Sequence, residues 1–281
     1  MDTERLQAIL ARFNSARILV LGDYFLDRYL ILDAALSETS LETGLEAYQV
    51  TRQRLSPGAA GTVTANLKAL DAGTVYALGM VGADGEGFTL RRGLEALGVV
   101  TDLLVETDER FTPTYTKPML LENGVERELN RIDTKNRRPC PPAVERTILA
   151  HLRQMAPLVD AVVIADQVQE RNCGVVTDAV REELAHLARK YEEKVFIVDS
   201  RLRVGEYRGC WLKPNRAEAY RALGKREPET ESTPALVARE VNALRERCER
   251  PVFVTLGAGG ECVRHRDRGY PSPHPAAAGA D

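Results

Sequence analysis

Asp23, Asp166 and Asp199 each stand at the end of an apolar run of strand length, where a carboxylate can contact a ligand. Because ligands of open parallel sheets bind outside the carboxyl ends of the strands, these acids and the nearby Asp27 would gather in one cleft. Aspartate is also common in loops, where it caps backbone groups. The very apolar runs before Asp23 and Asp166 favour contact with a ligand over capping.

Asn215 and Glu218 lie three residues apart in the sequence LKPNRAEA, at the start of a predicted helix. Side chains with this spacing can face the same side and hold phosphate oxygens and, through water, a magnesium ion. The spacing Asn-x-x-Glu is also typical of a helix capping box. From these residues alone the capping box is the favoured interpretation.

Small residues in the sequence SPGAAG, residues 56–61, precede another predicted helix. They would let backbone amides approach a ligand at the helix N-terminus, which attracts oxygen and phosphate groups. Neither the dinucleotide fingerprint G-x-G-x-x-G nor the P-loop pattern occurs in the chain. A dinucleotide-dependent oxidoreductase and a P-loop nucleotidase are therefore disfavoured.

The elements that position these residues alternate along the chain. Five runs rich in Val, Ile and Leu, mostly without polar alternation, are predicted to be strands buried on both faces. They comprise residues 16–23, 74–82, 160–167, 194–200 and 251–257. Helices are predicted after Pro57-Gly58 as far as residue 70, and at residues 86–97, 142–155 and 175–191. This alternation predicts a single α/β domain, residues 1–281, with a mostly parallel sheet covered by helices on both faces.

Two segments interrupt the alternation, at about residues 29–55 and 111–133. Both contain β-branched or aromatic residues, and the Asn123-Gly124 pair favours a hairpin turn. One interpretation is a small sheet packed over one end of the main sheet, as a lid or a dimer surface. Ordinary edge strands are the alternative, and the sequence does not favour either.

Composition restricts the classes of function. The 281 residues include 38 Lys+Arg and 41 Asp+Glu, for a net charge of −3, with 44% hydrophobic and 28% charged residues. This balance argues against disorder and against nucleic-acid binding through bulk positive charge. No apolar run approaches the roughly 18 residues that a membrane span needs. The N-terminus lacks the pattern of a signal peptide, so a cytoplasmic location is expected. Five cysteines without a C-x-x-C pair and four scattered histidines favour neither structural zinc nor a disulfide framework.

Taken in order, the motifs resemble those of the ribokinase-like (pfkB) carbohydrate kinases, from about residue 18 to about residue 262. They are GDYFLDRY, SPGAAGTVTANLKALDAG, VGADGEG, TYTKPM, NRID, VVIADQ, IVDSR, LKPNRAEA and TLGAGG. Within the family, the chain is most similar to the kinase domain of bifunctional heptose-7-phosphate kinase/adenylyltransferases. No H-x-G-H nucleotide motif is present, so adenylyltransferase activity is not expected.

The resemblance implies ATP-dependent phosphorylation of a sugar or sugar phosphate, such as heptose 7-phosphate, with Mg²⁺ bridging the phosphates. It implies a ribokinase-like fold whose small β lid covers the sugar and forms a homodimer. The residues implied to bind the substrate are Asp23, Asp27, Gly58, Ala59, Thr62, Lys117, Arg131 and Asp166. Those implied to bind the nucleotide are Asn215, Glu218, Thr255, Gly257 and Gly260, with Glu218 contacting the metal through water.

The chain departs from the family pattern in three places. Ala59 stands where the family usually has a second glycine, and Thr62 stands where an asparagine is expected, which suggests a different sugar. The family's G-A-G-D motif, which supplies the anion hole and the base, does not follow the T-x-G-x-x-G segment. The ending AGAD resembles it superficially and makes Asp281 a weak candidate for the base. The expectation is that the C-terminal catalytic part is missing.

Three functions remain open after this comparison. The first is a sugar kinase, inactive in this form if the catalytic loop is missing. The second is a catalytically inactive sugar-binding or regulatory protein with the same fold. The third is a pfkB-family kinase for another sugar or a nucleoside. A substrate panel would separate the first from the third, and binding without turnover would favour the second.

Overall fold

A computed structural model of the chain describes residues 3–226, 234–257, 260–265 and 268–272. Asp281 and the AGAD sequence lie outside these residues. No helix in the described part is long and apolar enough to cross a membrane. The α-helices are α1 (Thr3–Leu10), α2 (Ala60–Ala69), α3 (Gly85–Ala96), α4 (Pro142–Met155), α5 (Asp178–Lys190), α6 (Arg216–Ala222) and α7 (Pro234–Cys248). Short 3-10 helices span Phe13–Ser15, Ala34–Leu36 and Val204–Glu206.

A nine-stranded main sheet forms the centre of the fold. Its strands are β1 (Arg17–Gly22), β6 (Thr74–Gly82), β7 (Leu104–Thr107), β11 (Ala161–Asp166), β12 (Val195–Ser200), β13 (Trp211–Leu212), β14 (Val252–Thr255), β15 (Glu261–His265) and β16 (Arg268–Ser272). Their spatial order is 16-15-14-13-12-11-1-6-7. All neighbours pair in parallel except those involving β15 and β16, which are antiparallel. The predicted mostly parallel sheet is confirmed.

Helices cover both faces of the main sheet, and successive residues of β1 pack against helices on opposite faces. Leu19 and Leu21 belong to one buried cluster with residues of α4 and α5, whereas Val20 belongs to a second with residues of α2 and α3. All three side chains are fully buried. A strand that is buried on both faces has a continuous apolar sequence, which explains why polar residues do not alternate with apolar ones here.

A second, small sheet stands at the carboxyl ends of β1 and β6. Its strands are β2 (Tyr24–Asp33), β5 (Val50–Ala59), β8 (Thr114–Glu122), β9 (Val125–Glu128) and β10 (Ile132–Thr134), in the order β10-β8-β2-β5 with β9 also paired to β8. The excursion between β2 and β5 carries a two-stranded ribbon of β3 (Glu38–Thr39) and β4 (Glu46–Ala47). Asn123 and Gly124 both have positive φ, of 52° and 80°, and join β8 to β9. The predicted hairpin at this pair is therefore confirmed.

The small sheet is longer than the sequence predicted. Its strand β2 begins at Tyr24 instead of residue 29, and β5 continues to Ala59 instead of ending near residue 55. Tyr24 pairs with Ala59 and Phe25 with Gly58, so backbone pairing keeps Gly58 and Ala59 in the strand. Helix α2 begins at Ala60, directly after this pairing ends. The helix predicted to follow Pro57-Gly58 is therefore confirmed.

Candidate functional site

A cleft of about 370 Å³ lies where the carboxyl ends of β1 and β11 meet the small sheet. Of the residues predicted to bind the substrate, Asp23, Asp27, Ala59 and Arg131 line it. The carboxyl ends of parallel strands are the usual position for ligands in such sheets. The structure thus brings together half of the predicted acceptor residues, which come from β1, the small sheet and the segment after β9.

Asp23 is buried in the cleft floor, and three backbone amides donate hydrogen bonds to its carboxylate. The amides of Gln167 and Val168 donate to Oδ2 at 2.8 and 2.9 Å, and the amide of Val175 donates to Oδ1 at 2.8 Å. Burial and the nearby charge of Asp166 raise the pKa of Asp23 from 3.8 to about 6, although the three amides favour the ionised form. Asp23 therefore holds the segment after β11 as well as facing the cleft.

Asp27 on β2 forms an ion pair with Lys117 on β8, with 3.0 Å between Oδ1 and Nζ. Lys117 also donates to the hydroxyl of Tyr29 and lies 4.5 Å from the centre of its ring. Gly58 faces the same carboxylate, since a Cβ at this position would lie 2.3 Å from Asp27 Oδ2. Only glycine fits there, so the predicted residues Gly58 and Lys117 contact Asp27, which itself lines the cleft.

Ala59 and Thr62 lie at the junction of β5 and α2. Ala59 lines the cleft with φ 53° and ψ −114°, a backbone conformation that favours glycine. This is one of the three places where the chain departs from the family pattern. Thr62, a second, is exposed in the first turn of α2 and does not line the cleft. The predicted contact between Thr62 and a substrate is not supported by its position.

Two cationic side chains line the cleft beside Tyr115. The Arg131 guanidinium lies 4.6 Å from the centre of the Tyr115 ring, and the Lys135 ammonium lies 5.4 Å from it. Asp133 accepts hydrogen bonds from Arg131 at 2.6 and 2.9 Å and pairs with Lys135 at 3.3 Å. These contacts lower the pKa of Asp133 and raise that of Arg131. One carboxylate between two cations leaves net positive charge at this side of the cleft.

Asp166 is a correction to the sequence-based expectation, because it lies behind the cleft and not in its lining. Its Oδ2 accepts hydrogen bonds from the hydroxyls of Ser200 at 2.7 Å and Tyr207 at 3.0 Å, and its Oδ1 lies 3.8 Å from Arg203. All these groups are buried, and burial raises the pKa of Asp166. The structure gives Asp166 a supporting role in place of the predicted contact with substrate.

Asn215 and Glu218 form the capping box that begins α6. The Glu218 amide donates to Asn215 Oδ1 and the Asn215 amide donates to Glu218 Oε2, both at 2.9 Å. Asn215 also pairs with Thr255 through an isolated parallel bridge, which places both residues at the carboxyl ends of β13 and β14. The structure therefore brings together Asn215, Glu218 and Thr255, three of the residues predicted to contact the nucleotide.

The turn after β14 contains the remaining two. Gly257 and Gly260 both have positive φ, of 60° and 87°, and the Gly260 amide donates to the carbonyl of Gly257 at 3.1 Å. A Cβ at Gly257 would meet nothing within 4 Å, so open space lies beside this backbone. An exposed glycine such as Gly257 lets a ligand approach the main chain closely.

Polar side chains connect the cleft to this second group along neighbouring strand ends. The Gln167 amide nitrogen Nε2 donates to Asp199 Oδ1 at 3.3 Å, and Lys213 Nζ lies 3.1 Å from Asp199 Oδ2. Arg201, which lines the cleft, lies 3.9 Å from Glu218 Oε1. The two groups of predicted residues are therefore ends of one polar track along the carboxyl edge of the sheet.

The carboxylates of this track fit an indirectly bound magnesium ion. Burial and the nearby charge of Asp199 raise the pKa of Glu218, so the two carboxylates interact electrostatically. Mg²⁺ usually keeps several waters and takes one or two carboxylates together with phosphate oxygens. Within the described ranges there is no cluster of three or more His, Cys, Asp or Glu that could hold a metal ion. The donor set therefore fits Mg²⁺ held through Glu218 and water, and not a site made by protein ligands alone.

Sequence reasoning missed several residues of the cleft. Lys135, Gln167, Glu170 and Arg201 line it, as does Tyr115. Gln167 and Arg201 directly follow β11 and β12 in the manner of the predicted acids, so reading amides and cations at strand ends would have found them. No local signal marks Lys135, because only the packing of the 131–136 segment against Tyr115 brings it to the cleft.

A family model for pfkB family carbohydrate kinases matches residues 17–278. Among curated proteins, the chain is 31% identical over 267 residues to the bifunctional protein HldE of Citrifermentans bemidjiense, covering 92% of this chain and 53% of that protein. It is 29% identical over 263 residues to the bifunctional protein HldE of Desulfatibacillum aliphaticivorans, covering 92% and 51%. The chain thus spans about half the length of these curated relatives.

Solved structures of sugar kinases share the fold. Phosphofructokinase-2 from Escherichia coli in complex with fructose-6-phosphate aligns with a TM-score of 0.62 at 16% identity, covering 92% of this chain and 80% of that one. Ribokinase from Arabidopsis thaliana, complexed with ribose and ATP, aligns with a TM-score of 0.62 at 16% identity, covering 93% and 79%. At these identities the likeness concerns the fold, which is the predicted ribokinase-like one.

Proposed function

This chain belongs to the pfkB family of carbohydrate kinases, and we propose that it transfers the γ-phosphoryl group of ATP to a hydroxyl of a phosphorylated sugar. Heptose 7-phosphate is the first substrate to test, because the motifs of the chain are most similar to those of heptose-7-phosphate kinase domains. Phosphoryl transfer needs positioning and electrostatic stabilisation more than covalent chemistry from the protein. The proposal therefore concerns which groups hold the two substrates.

The observation that carries the proposal is the pair of cations beside Tyr115 in a cleft that also contains carboxylates. Arg131 and Lys135 outnumber Asp133, so their side of the cleft attracts an anion such as the phosphate of the acceptor. Asp27 and Glu170 line the same cleft and can accept hydrogen bonds from sugar hydroxyls. A ligand with a phosphate at one end and hydroxyls along its length matches this distribution.

The polar track leading to Asn215 supports ATP as the second substrate. Asn215, Glu218 and Lys213 would lie beside the phosphates, and the glycine turn at Gly257 and Gly260 would lie beside the nucleotide. When bound, Mg²⁺ neutralises phosphate charge. Glu218 would orient the waters of the ion, while Lys213 would offer a further positive charge to the phosphates.

We further propose that the small sheet is the lid of a single kinase domain, with its segments continuing to the observed strand ends. It contributes Tyr24, Asp27, Ala59 and Tyr115 to the cleft, so its movement would open or close the acceptor site. Large apolar side chains are exposed on or next to it. They are Leu41, Leu45, Tyr48, Val50, Leu55, Val125 and Ile132. This exposure supports a homodimer formed through the small sheet.

The direct test is ADP release by the purified chain, measured with Mg²⁺-ATP and a panel of phosphorylated and unphosphorylated sugars and nucleosides. We expect a sugar phosphate to bind in the cleft, with ADP release only if a group of the protein supplies the base and the anion hole that the G-A-G-D motif supplies in the family. Replacing both Arg131 and Lys135 by alanine should raise the Kd of the sugar phosphate, and its KM where there is turnover, by about tenfold or more. Arg127→Ala is the matched control, because Arg127 is an exposed arginine of β9 outside the cleft. Its KM should equal that of the wild type.

The alternatives give different results in the same panel. Turnover confined to an unphosphorylated sugar or a nucleoside would replace the proposed acceptor with another substrate of the family. Calorimetric binding of a sugar phosphate without ADP release would identify an inactive binding protein. An unchanged KM in the Arg131 and Lys135 double variant would contradict the role given to the two cations.

A further inference from the structure

The segment between β11 and α5, residues 167–175, is called the cleft loop here. Six of the residues that line the cleft belong to it, namely Gln167, Val168, Gln169, Glu170, Cys173 and Val175. Loops usually satisfy their backbone groups with water. In the cleft loop, buried charged side chains from other parts of the chain satisfy many of these groups.

The carboxylate of Asp23 binds backbone N–H groups at both ends of the cleft loop. Its two oxygens accept from Gln167 and Val168 at the start and from Val175 at the end. The approach is close, because a Cβ at Gly174 would lie 2.6 Å from Asp23 Oδ1 and 2.9 Å from the Cβ of Val168. One carboxylate thus joins the two ends of the cleft loop, and Gly174 makes room for it.

Two buried arginines bind carbonyl groups of the same loop. Arg203 donates from Nη1 to the carbonyl of Val168 at 3.0 Å and from Nη2 to the carbonyl of Gln169. Arg110 donates from Nη2 to the carbonyl of Cys173, and from Nη1 to the carbonyls of Arg138 and Pro139. Arg110 therefore also ties the loop to the segment that follows the small sheet. Both arginine side chains are more than nine-tenths buried.

We propose that Asp23, Arg110 and Arg203 are positioning residues, which act together to hold the cleft loop as one wall of the cleft. In this role Asp23 acts on a substrate through the loop and not through direct contact with sugar hydroxyls. The role in shaping the loop stands on geometry alone, whereas its consequence for the acceptor rests on the proposed kinase function.

The chemistry of the contacts explains why charged groups occupy these positions. An ionised carboxylate only accepts hydrogen bonds, which matches three amide donors, whereas an asparagine in place of Asp23 would turn an NH₂ group toward one of them. The planar fork of a guanidinium reaches two or three carbonyls in fixed directions, which an ammonium cannot do. Burial raises the pKa of Asp23 and so opposes its ionised form. The hydrogen bonds from the three amides favour the ionised form and so compensate for part of the cost of burial.

Hydrogen–deuterium exchange of the protein without substrate tests the positioning role directly. We expect Asp23→Asn, Arg110→Lys and Arg203→Lys each to raise the exchange rate of amides in residues 167–175 by about tenfold or more. Arg153→Lys is the matched control, because the exposed Arg153 pairs with Glu183 on α5 and donates to no carbonyl of the cleft loop. Exchange rates equal to the wild type in all three variants would overturn the proposal, whether or not the chain proves to be a kinase.

Steady-state kinetics separate positioning from direct contact. The same three variants should raise the KM for the acceptor by about tenfold and leave the KM for ATP within about twofold. Gly174→Ala should have the same effect without altering any charge, because its methyl group would displace Asp23 or Val168. If Asp23→Asn raised the acceptor KM while exchange in the cleft loop stayed unchanged, Asp23 would be a direct ligand of the sugar. That result would overturn its assignment as a positioning residue.

Discussion

The two ends of the candidate site, the proposed acceptor end in the cleft and the proposed nucleotide end beside Asn215, are built in different ways. At the acceptor end, Asp23 binds amides that lie 144, 145 and 152 residues away in sequence. At the nucleotide end, Asn215 and Glu218 bind each other across three residues, and Thr255 joins them through a single backbone bridge. The acceptor end is therefore a product of tertiary contacts, and the nucleotide end is largely a product of local structure.

The difference predicts how far the effect of a single substitution extends. A residue such as Arg203 supports two carbonyls of the cleft loop and lies near the buried carboxylate of Asp166. Removing it disturbs several segments at once. A residue such as Asn215 caps one short helix, so its removal affects that helix and whatever ligand lies beside it. Stability measurements can test this contrast separately from activity.

Arg203→Ala should have the largest effect on stability. It leaves two buried carbonyls without their donor and removes the cation nearest to Asp166, which together should lower the free energy of unfolding by about 3–5 kcal/mol. Urea unfolding followed by circular dichroism measures this change. Arg153→Ala, which removes only an exposed ion pair, should change the free energy of unfolding by less than about 1 kcal/mol. Equal losses of unfolding free energy in Arg203→Ala and Arg153→Ala would contradict the structural role given to Arg203.

The charge of Asp23 should give the acceptor end a characteristic pH dependence. Its pKa is raised from 3.8 to about 6 in the folded chain, so the folded state binds a proton more tightly than the unfolded state does. The contribution of Asp23 to stability is therefore fully present below about pH 4 and is lost as the pH rises through about 6. The contribution that is lost corresponds to roughly 3 kcal/mol of unfolding free energy at most.

The measurement compares wild type with Asp23→Asn by urea unfolding at several pH values. Since asparagine does not titrate, the difference in the free energy of unfolding, wild type minus variant, should increase as the pH falls from 7 to 4. Shifts at distant carboxylates largely cancel in this difference, whereas the contribution of Asp166 does not, because its charge acts on Asp23. A difference that does not vary with pH would show that Asp23 ionises normally in the folded chain.

Asn215→Ala tests the nucleotide end and should have a smaller effect. Loss of the N-cap should lower the free energy of unfolding by about 1 kcal/mol and raise the KM for ATP. Thr177→Ala is a matched control, because Thr177 caps α5 through a 3.2 Å bond from the amide of Val180. It should lower stability by a similar amount and leave the KM for ATP unchanged. If the KM for ATP rose in both variants, the cause would be the loss of a helix cap and not the loss of a contact with the nucleotide.

The same contrast decides what the sequence could predict. The β6 strand and α4 have the predicted boundaries, and the capping box at Asn215 was recognised, because each depends on neighbouring residues. The partners of Asp23 could not be predicted, since nothing near Asp23 indicates which distant amides will face it. Asp166 has the same local pattern as Asp23, yet packing turns it toward Ser200 and Tyr207 instead of the cleft.

Long-range pairing also explains the errors at the small sheet. The SPGAAG segment precedes a helix, and the small sheet extends into it because Gly58 and Ala59 pair with Phe25 and Tyr24. The register of β2 against β5 is set over the whole length of both strands, so the last residues follow it against their local preference. Sequence reasoning therefore located the two strand segments and misplaced where each begins or ends.

The two ends also differ in which residue types occupy positions with positive φ, as Ala59 shows. Among the described residues of the nucleotide turn the positive-φ positions are glycines, Gly257 and Gly260, whereas at the acceptor end Ala59 adopts φ 53° with ψ −114°. An L-residue in such a conformation costs about 1–3 kcal/mol, and glycine costs up to about 1 kcal/mol in chain entropy.

Ala59→Gly should therefore raise the free energy of unfolding by about 1 kcal/mol, the smallest of these effects and the only stabilising one. Ala69→Gly, at the last residue of α2, is the control and should lower the free energy of unfolding by up to about 1 kcal/mol. Thermal unfolding of the two variants beside the wild type measures both signs. If both variants were destabilised, the contacts of the Ala59 methyl group would outweigh its backbone strain. Stabilisation by glycine would instead mean that Ala59 carries backbone strain at the acceptor end, which the described glycines of the nucleotide end avoid. The KM of Ala59→Gly for each acceptor would then show whether the Ala59 methyl group contributes to the choice of sugar.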